Sequence, residues 1–173
     1  MKRRLFSAVL CLLAVVSCLL LPACGYHLGG YKPEKLKNMH TFSVDMMENN
    51  SLEPRAGVLL TSALTDSLQR DGTYRLSSRR KSDFRIEGEI ASVNYSSLRT
   101  NKEDTYISDE ISMNVTVKYR VIDNADGKEL LSNTLMVSSN FYNQGNVQTA
   151  RMNAMSYAAM LAAQRITDTL TNG

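Results

Sequence analysis

The sequence predicts an α+β fold: a two-layer sandwich with two helices packed on one face of a four- to five-stranded, mostly antiparallel sheet. Three observations predict it. The segments 84–98, 111–121 and 131–141 alternate apolar and polar residues with the period of two that a half-buried strand requires. Two longer segments flanking them repeat apolar residues three and four apart, as amphipathic helices do. The resulting order, β-α-β-β-β-β-α, sets both helices on the apolar side of a single sheet.

The elements follow in chain order. His40 to Asp45 alternates through Phe42 and Val44 as a short first strand, and Glu48-Asn49-Asn50-Ser51 reads as a loop. A helix is predicted from about Pro54 to Arg70. Proline suits its first turn, Leu60, Leu64 and Leu68 form its stripe beside Ala56, Leu59 and Ala63, and Asp71-Gly72 stops it. Tyr74 to Ser77 is a brief second strand, and Arg79-Arg80-Lys81 an exposed connection. In 84–98, Phe84, Ile86 and Ile90 share one parity whereas Val93 and Tyr95 take the other. A strand whose phase slips by one residue needs a bulge, predicted near Ala91-Ser92. The next strand sets Ile111, Met113, Val115, Val117, Tyr119 and Val121 against Ser112, Asn114, Thr116, Lys118 and Arg120. Asn124-Ala125-Asp126-Gly127 is a hairpin turn with glycine placed for positive φ. The returning strand sets Leu131, Leu135, Val137 and Phe141 against Ser132, Thr134, Ser138 and Asn140. A last helix, about Val147 to Leu170, carries Met155, Ala159, Ala162, Ile166 and Leu170 flanked by Ala154, Tyr157, Ala158 and Leu161. Its apolar arc is wider than one sheet face requires, which implies burial on two sides or a partner.

The N-terminal residues follow the grammar of an export signal over 1–23. Lys2-Arg3-Arg4 supply the positive end, Ala8 to Leu21 the apolar run, and Ala23 the small residue before cleavage. The run is shorter than the roughly 20 residues a permanent membrane helix needs. Leu21-Pro22-Ala23-Cys24 resembles the lipobox read by lipoprotein signal peptidase. Cys11 and Cys18 leave with the signal, so Cys24 is the one cysteine of the expected mature chain, and no internal disulfide can form. Its thiol takes a thioether-linked diacylglycerol and its amine a third acyl chain, enough to anchor stably where one chain would not. Gly25, rather than an aspartate, follows it and favours the outer membrane, facing the periplasm. Residues 24–38, with Gly25, Gly29, Gly30 and Pro33, read as a lipidated tether, and 39–173 as one domain.

Composition removes several function classes. Taking Lys2, Arg3 and Arg4 from the chain's 20 basic residues leaves 17, equal to its 17 acidic ones. A neutral chain is a poor ligand for nucleic acid, which is bound by neutralising phosphates. His27 and His40 are the only histidines and no second ligand stands at metal spacing, so neither metal nor cofactor is indicated. Asp and Glu are scattered, and no nucleophile–base set is suggested. Glu87 and Glu89 lie two apart on one strand face, but beside Arg85 they read as a solvated face. Catalysis is not expected.

Three stretches carry a family resemblance: Cys24-Gly25-Tyr26-His27-Leu28, the loop Glu48-Asn49-Asn50, and Phe84-Arg85-Ile86-Glu87-Gly88-Glu89-Ile90. Their order and spacing resemble the lipopolysaccharide-assembly lipoproteins of the LptE family over nearly the whole mature chain. The resemblance implies a plug inside the outer-membrane barrel LptD, delivering lipopolysaccharide to the outer leaflet and binding the glycolipid without catalysis. It also implies a glycolipid-binding cation in the connection between the two longest strands, where Arg99 and Lys102 stand. A second basic position, before the last helix, is occupied instead by Asn143-Gln144-Gly145-Asn146. Lipoprotein activators of penicillin-binding proteins share an opening like residues 40–77 and form the competing class. The long bulged strand and hairpin of 84–142 favour the first.

Overall fold

The computed structural model describes residues 32–98, 110–142 and 145–173. The expected signal, Cys24, and both Arg99 and Lys102 lie outside the described residues. The elements are β1 (Thr41–Val44), β2 (Glu48–Asn49), α1 (Ala56–Asp71), β3 (Arg75–Leu76), β4 (Phe84–Ser97), β5 (Glu110–Asp123), β6 (Glu129–Tyr142) and α2 (Val147–Asn172), preceded by a 3-10 turn at Glu34–Leu36. The strands form one sheet in the order β3-β1-β4-β5-β6, with β2 also paired to β4. The α+β sandwich is as expected, with two refinements. Residues Glu48–Asn49, expected as loop, pair parallel with Glu89 and Ile90 as a sixth strand. Strand β1 runs parallel to both β3 and β4, so a mixed edge is joined to the antiparallel β4-β5-β6 meander.

The meander is governed by parity. Successive side chains of a strand point to opposite faces, so the alternation of β5 buries Met113, Val115, Val117, Tyr119 and Val121 under the helices. In β4 the register shifts between Ile90 and Ser92, leaving Ala91 as the extra residue. That bulge turns Val93 and Tyr95 to the same face as Phe84, Ile86 and Ile90, where Tyr95 meets Phe141 edge-on at 6.2 Å. The hairpin turn closes with Gly127 at φ 72, as its position required.

The helices cover that face. Leu60, Leu64 and Leu68 of α1 are fully buried, and Gly72 ends the helix at φ 78 with its N–H donating to Leu68 O. Asn146 Oδ1 accepts from Thr149 N–H at 3.1 Å and caps the start of α2. The wide arc of α2 is used on two sides. Met155, Ala159, Ala162, Ile166 and Leu170 are buried, Ala158 and Ala163 are buried beside them, and Thr167 Oγ1 donates to Ser67 Oγ of α1 at 2.9 Å. Tyr157, expected to flank the stripe, is instead half-exposed. No helix among the described residues is long and apolar enough to cross a membrane.

One end of the core is closed by residues from distant segments. Tyr74 packs edge-on against Phe84 at 5.1 Å and donates its hydroxyl to Leu170 O at 2.7 Å. Burial, then the neighbouring Asp71, pushes its phenol up to about 12. Lys32 lies over the Tyr74 ring at 4.6 Å and donates to Met39 O, and Leu36 is fully buried. The described end of the expected tether therefore docks on the core.

A second fixed point is Met47, 2% exposed. Its N–H donates to Thr61 Oγ1 of α1 at 3.0 Å. A Cβ on Gly57 would stand 2.5 Å from Met47 O, and one on Gly88 would stand 2.9 Å from Met47 Sδ and 2.6 Å from Lys118 O. Both glycines are needed for space, which lets the start of α1 and the middle of β4 close on Met47. Gly57→Ala is therefore expected to destabilise the fold by about 1–3 kcal/mol in urea titration, because the contact is with backbone. Val58→Ala, one residue away and 57% exposed, should stay within about 0.5 kcal/mol of the parent. Equal midpoints for Gly57→Ala and the parent would contradict the close approach.

Candidate functional site

The face of the sheet opposite the helices is uncovered and polar. Across β4, β5 and β6 it holds five rungs, Glu87–Arg120–Ser132, Glu89–Lys118–Thr134, Ser92–Thr116–Met136, Asn94–Asn114–Ser138 and Ser96–Ser112–Asn140, and beyond them β5 and β6 add the pair Glu110–Tyr142. Two rungs are charged and three are not.

The charged rungs line a groove of about 1040 Å³ bounded by Asp45, Glu48 and Arg79 on one side and Ser132 to Thr134 on the other. Most of its charges pair within it. Glu87 receives Arg85 Nε at 2.7 Å and Arg120 Nη2 at 2.8 Å, Lys118 stands 3.0 Å from Glu89, and Arg79 stands 3.3 Å from Asp45. The hydrogen bond from Arg85 holds the Glu87 carboxyl below the usual glutamate range. Partial burial opposes this, and the bond from Arg120 adds to it. The groove is thus mostly ion-paired, with no group of three His, Cys, Asp or Glu able to hold a metal among the described residues.

The three neutral rungs differ in chemistry. Ser138 Oγ donates to Asn114 Oδ1 at 2.6 Å, and Asn114 Nδ2 reaches Ser96 Oγ at 3.5 Å. Asn94 Nδ2 donates to Ser92 Oγ at 3.3 Å. Short hydroxyls and amides here satisfy one another laterally, Ser112 is buried, and Asn140 Nδ2 donates to Glu110 Oε1 at 3.1 Å. Removing such a face from water costs less than removing charges, provided its hydrogen bonds are replaced.

The neutral rungs occupy the end of the sheet where β4 leaves for residues 99–109 and β5 returns. Leu98 N–H donates to Glu110 O at 2.8 Å, so the pairing persists up to that connection. The candidate residues Arg99 and Lys102 belong to it and lie outside the described residues, as does Cys24. At the same end the structure joins three groups that the sequence did not single out. The Tyr95 hydroxyl donates to Glu53 Oε1, and Arg151 Nε of α2 stands 3.5 Å from that carboxylate. Burial first, then the bond to Glu53, raises the Tyr95 phenol. This node ties the segment after β2 to β4 and α2. At the opposite end Asp83 Oδ2 accepts from His40 and Thr41 N–H, both at 2.8 Å, and Asn124 Nδ2 donates to Ser82 O and Arg79 O. The His40 bond, first among several, keeps the Asp83 carboxyl below its ordinary value.

Residues 39–170 match the family model LptE, described as lipopolysaccharide-assembly. No curated protein matches the sequence. Among solved structures, the PelC dodecamer of Paraburkholderia phytofirmans is similar with a TM-score of 0.52 at 16% identity, covering 82% of this chain and 94% of that one. A putative neuraminyllactose-binding hemagglutinin homolog from Helicobacter pylori gives 0.53 at 14%, covering 82% and 89%. A minor lipoprotein from Acinetobacter baumannii gives 0.50 at 14%, covering 75% and 90%. At these identities the structural likeness establishes the fold alone.

The pairing of Glu87 yields a signed pH dependence. Its folded pKa lies below the unfolded one, so its contribution is present above the ordinary glutamate range and is lost as pH falls through the folded value. Glu87→Gln should cost about 1 kcal/mol at pH 7, with the difference from the parent shrinking towards zero below that range. Thermal unfolding from pH 7 to 3 checks it, and a difference independent of pH would contradict it.

Proposed function

The chain belongs to the LptE family of lipopolysaccharide-assembly proteins, and on that basis we propose that it is the lipid-anchored partner of an LptD-like outer-membrane barrel. It sits as a plug in the barrel, faces the periplasm, and binds lipopolysaccharide without catalysing a reaction. Acyl chains on Cys24 hold it in the same membrane as the barrel, which gives the lipid a positional role.

The observation that carries this reading is the run of three uncharged rungs on the outer face, from Ser92 to Ser96 and across to Ser138 and Asn140, bounded by Glu110 beyond. A face left permanently in bulk water gains solubility from interspersed lysines and glutamates. This one has none over three rungs. Its hydroxyls and amides suit confined water and a polar protein wall, where each hydrogen bond has a replacement. The charged rungs at the other end already neutralise one another, so they do not demand an external counter-charge. Arg99 and Lys102 stand in the connection that leaves the neutral end, and there they offer cations to the phosphates of a glycolipid.

A pull-down from detergent-solubilised outer membranes tests the partner. A barrel of the LptD class is expected to co-purify. Recovery of a penicillin-binding protein without such a barrel would overturn the reading in favour of a synthase activator. Arg99→Glu with Lys102→Glu should weaken binding of purified lipopolysaccharide about tenfold and leave barrel recovery unchanged. Unaltered glycolipid binding removes that connection from the mechanism.

A further inference from the structure

The expected mature chain is neutral, but its charge is unevenly placed. Residues 32–40 and 70–83 together carry 8 lysines and arginines against the 3 acids Glu34, Asp71 and Asp83, a net charge of 8 − 3 = +5 with His40 neutral. The rest of the mature chain therefore carries 9 − 14 = −5. The fold brings the two basic segments together at the end of the sheet where β1 and β4 begin. Arg75 N–H donates to His40 O at 2.8 Å, and Asp83 Oδ2 accepts from His40 and Thr41 N–H, which turns that carboxylate towards backbone. Lys35, Lys37, Arg75, Arg80 and Lys81 are exposed and form no ion pair among the described residues. Leu76, 46% exposed, stands beside Arg75.

The tether leaves from this same end. Lys32 lies over the Tyr74 ring and donates to Met39 O, and Leu36 is buried in the core. The peptide steps from Cys24 to Lys32 span at most about 28 Å when fully extended. From Phe84 to Ser96, β4 rises about 40 Å. With acyl chains on Cys24, the basic end is held near the membrane in every orientation, whereas the neutral rungs are not.

We propose that this basic end is a second contact with the membrane, seated on the anionic phospholipid headgroups of the leaflet that holds the acyl chains. This contact rests on the anchored plug proposed above and leaves that plug single and enclosed. The basic end then stands at the periplasmic mouth of the barrel, where the tether has to pass the rim. Acyl chains hold the protein to the bilayer but leave its tilt free. Lysines and arginines are attracted to an anionic surface, and the attraction fades within a Debye length, so contact needs the short leash that Lys32 and Leu36 provide. The negative remainder of the chain is repelled by the same surface, which fixes the direction of tilt. Leu76 adds an apolar side chain among the cations, a pairing that interfacial helices also use. The groove around Glu87 offers no equivalent, because Arg79, Arg85, Lys118 and Arg120 are each paired with a carboxylate.

A polarity-sensitive dye on the purified lipidated chain tests this without the barrel. Acylation blocks the Cys24 thiol, so Ser78→Cys at the basic end and Ser138→Cys on the neutral rungs, both exposed positions, each give a single labelled site. The dye is read on vesicles of phosphatidylcholine alone and of phosphatidylcholine with phosphatidylglycerol. The vesicles contain no lipopolysaccharide, so a shift reports phospholipid. At Ser78 the dye should shift to the blue on the anionic vesicles only, and salt at about 1 M, where the Debye length is about 3 Å, should remove the shift. At Ser138 it should not move. Arg80→Glu with Lys81→Glu should abolish the Ser78 shift and leave flotation through the acyl chains unchanged. Equal Ser78 spectra on both vesicles, a shift that survives salt or the double variant, or an equal shift at Ser138 would overturn the proposal. Flotation on the neutral vesicles separately tests the anchor. A chain that fails it should still bind the anionic vesicles, about tenfold more weakly in the double variant, and no binding there would also overturn the proposal.

Discussion

The rest of the structure depends on the period of two in a β-strand, held in phase over three strands of 14 residues. Each side chain in the meander goes either under the helices or onto the open face, and a slip of one residue would exchange the two sets. The extra residue at Ala91 keeps both ends of β4 in phase with β5. Without it, Val93 and Tyr95 would lie among the serines and asparagines of the outer face, and Ser92 and Asn94 would lie under α2. Loss of the bulge would thus bury polar groups without partners and expose apolar ones.

From that partition comes a division of labour between faces. The inner face is committed to packing: α1 and α2 close on it, Met47 is held between Gly57 and Gly88, and Tyr74 and Leu36 seal one end. The outer face owes nothing to the core and is free to carry recognition. It is graded along the strands, from the interlocked ions around Glu87 to the hydroxyl and amide lattice around Asn114. The grade ends where the chain departs for residues 99–109, which lie outside the described residues.

Much of this was legible in the sequence because alternation and helical spacing are local signals. The parity of Ile111 to Val121, the phase slip at Ala91, the turn at Gly127 and the stop at Gly72 each follow from a few adjacent residues. The misses have long-range causes. Glu48–Asn49 is too short and too polar to show a period, and it becomes a strand only because Glu89 and Ile90 lie beside it. Glu53, Tyr95 and Arg151 meet across tens of residues of sequence, and no local pattern announces the node. Leu36 sits in a Lys- and Gly-rich stretch, where one leucine gives no sign that it docks on the core. Of the candidate site, the polar face was evident from composition. Its split into charged and neutral rungs needed the register, which sequence alone does not supply.

On the proposed function, the three neutral rungs of the outer face are the surface that meets the barrel. Site-specific photocross-linking from Asn114 in intact cells tests it most directly, since that side chain is at the middle of the neutral rungs and far in register from both charged ones. A cross-link to an LptD-like barrel is expected. A cross-link to a penicillin-binding protein, or none from Asn114 in cells where the barrel still co-purifies, would contradict it.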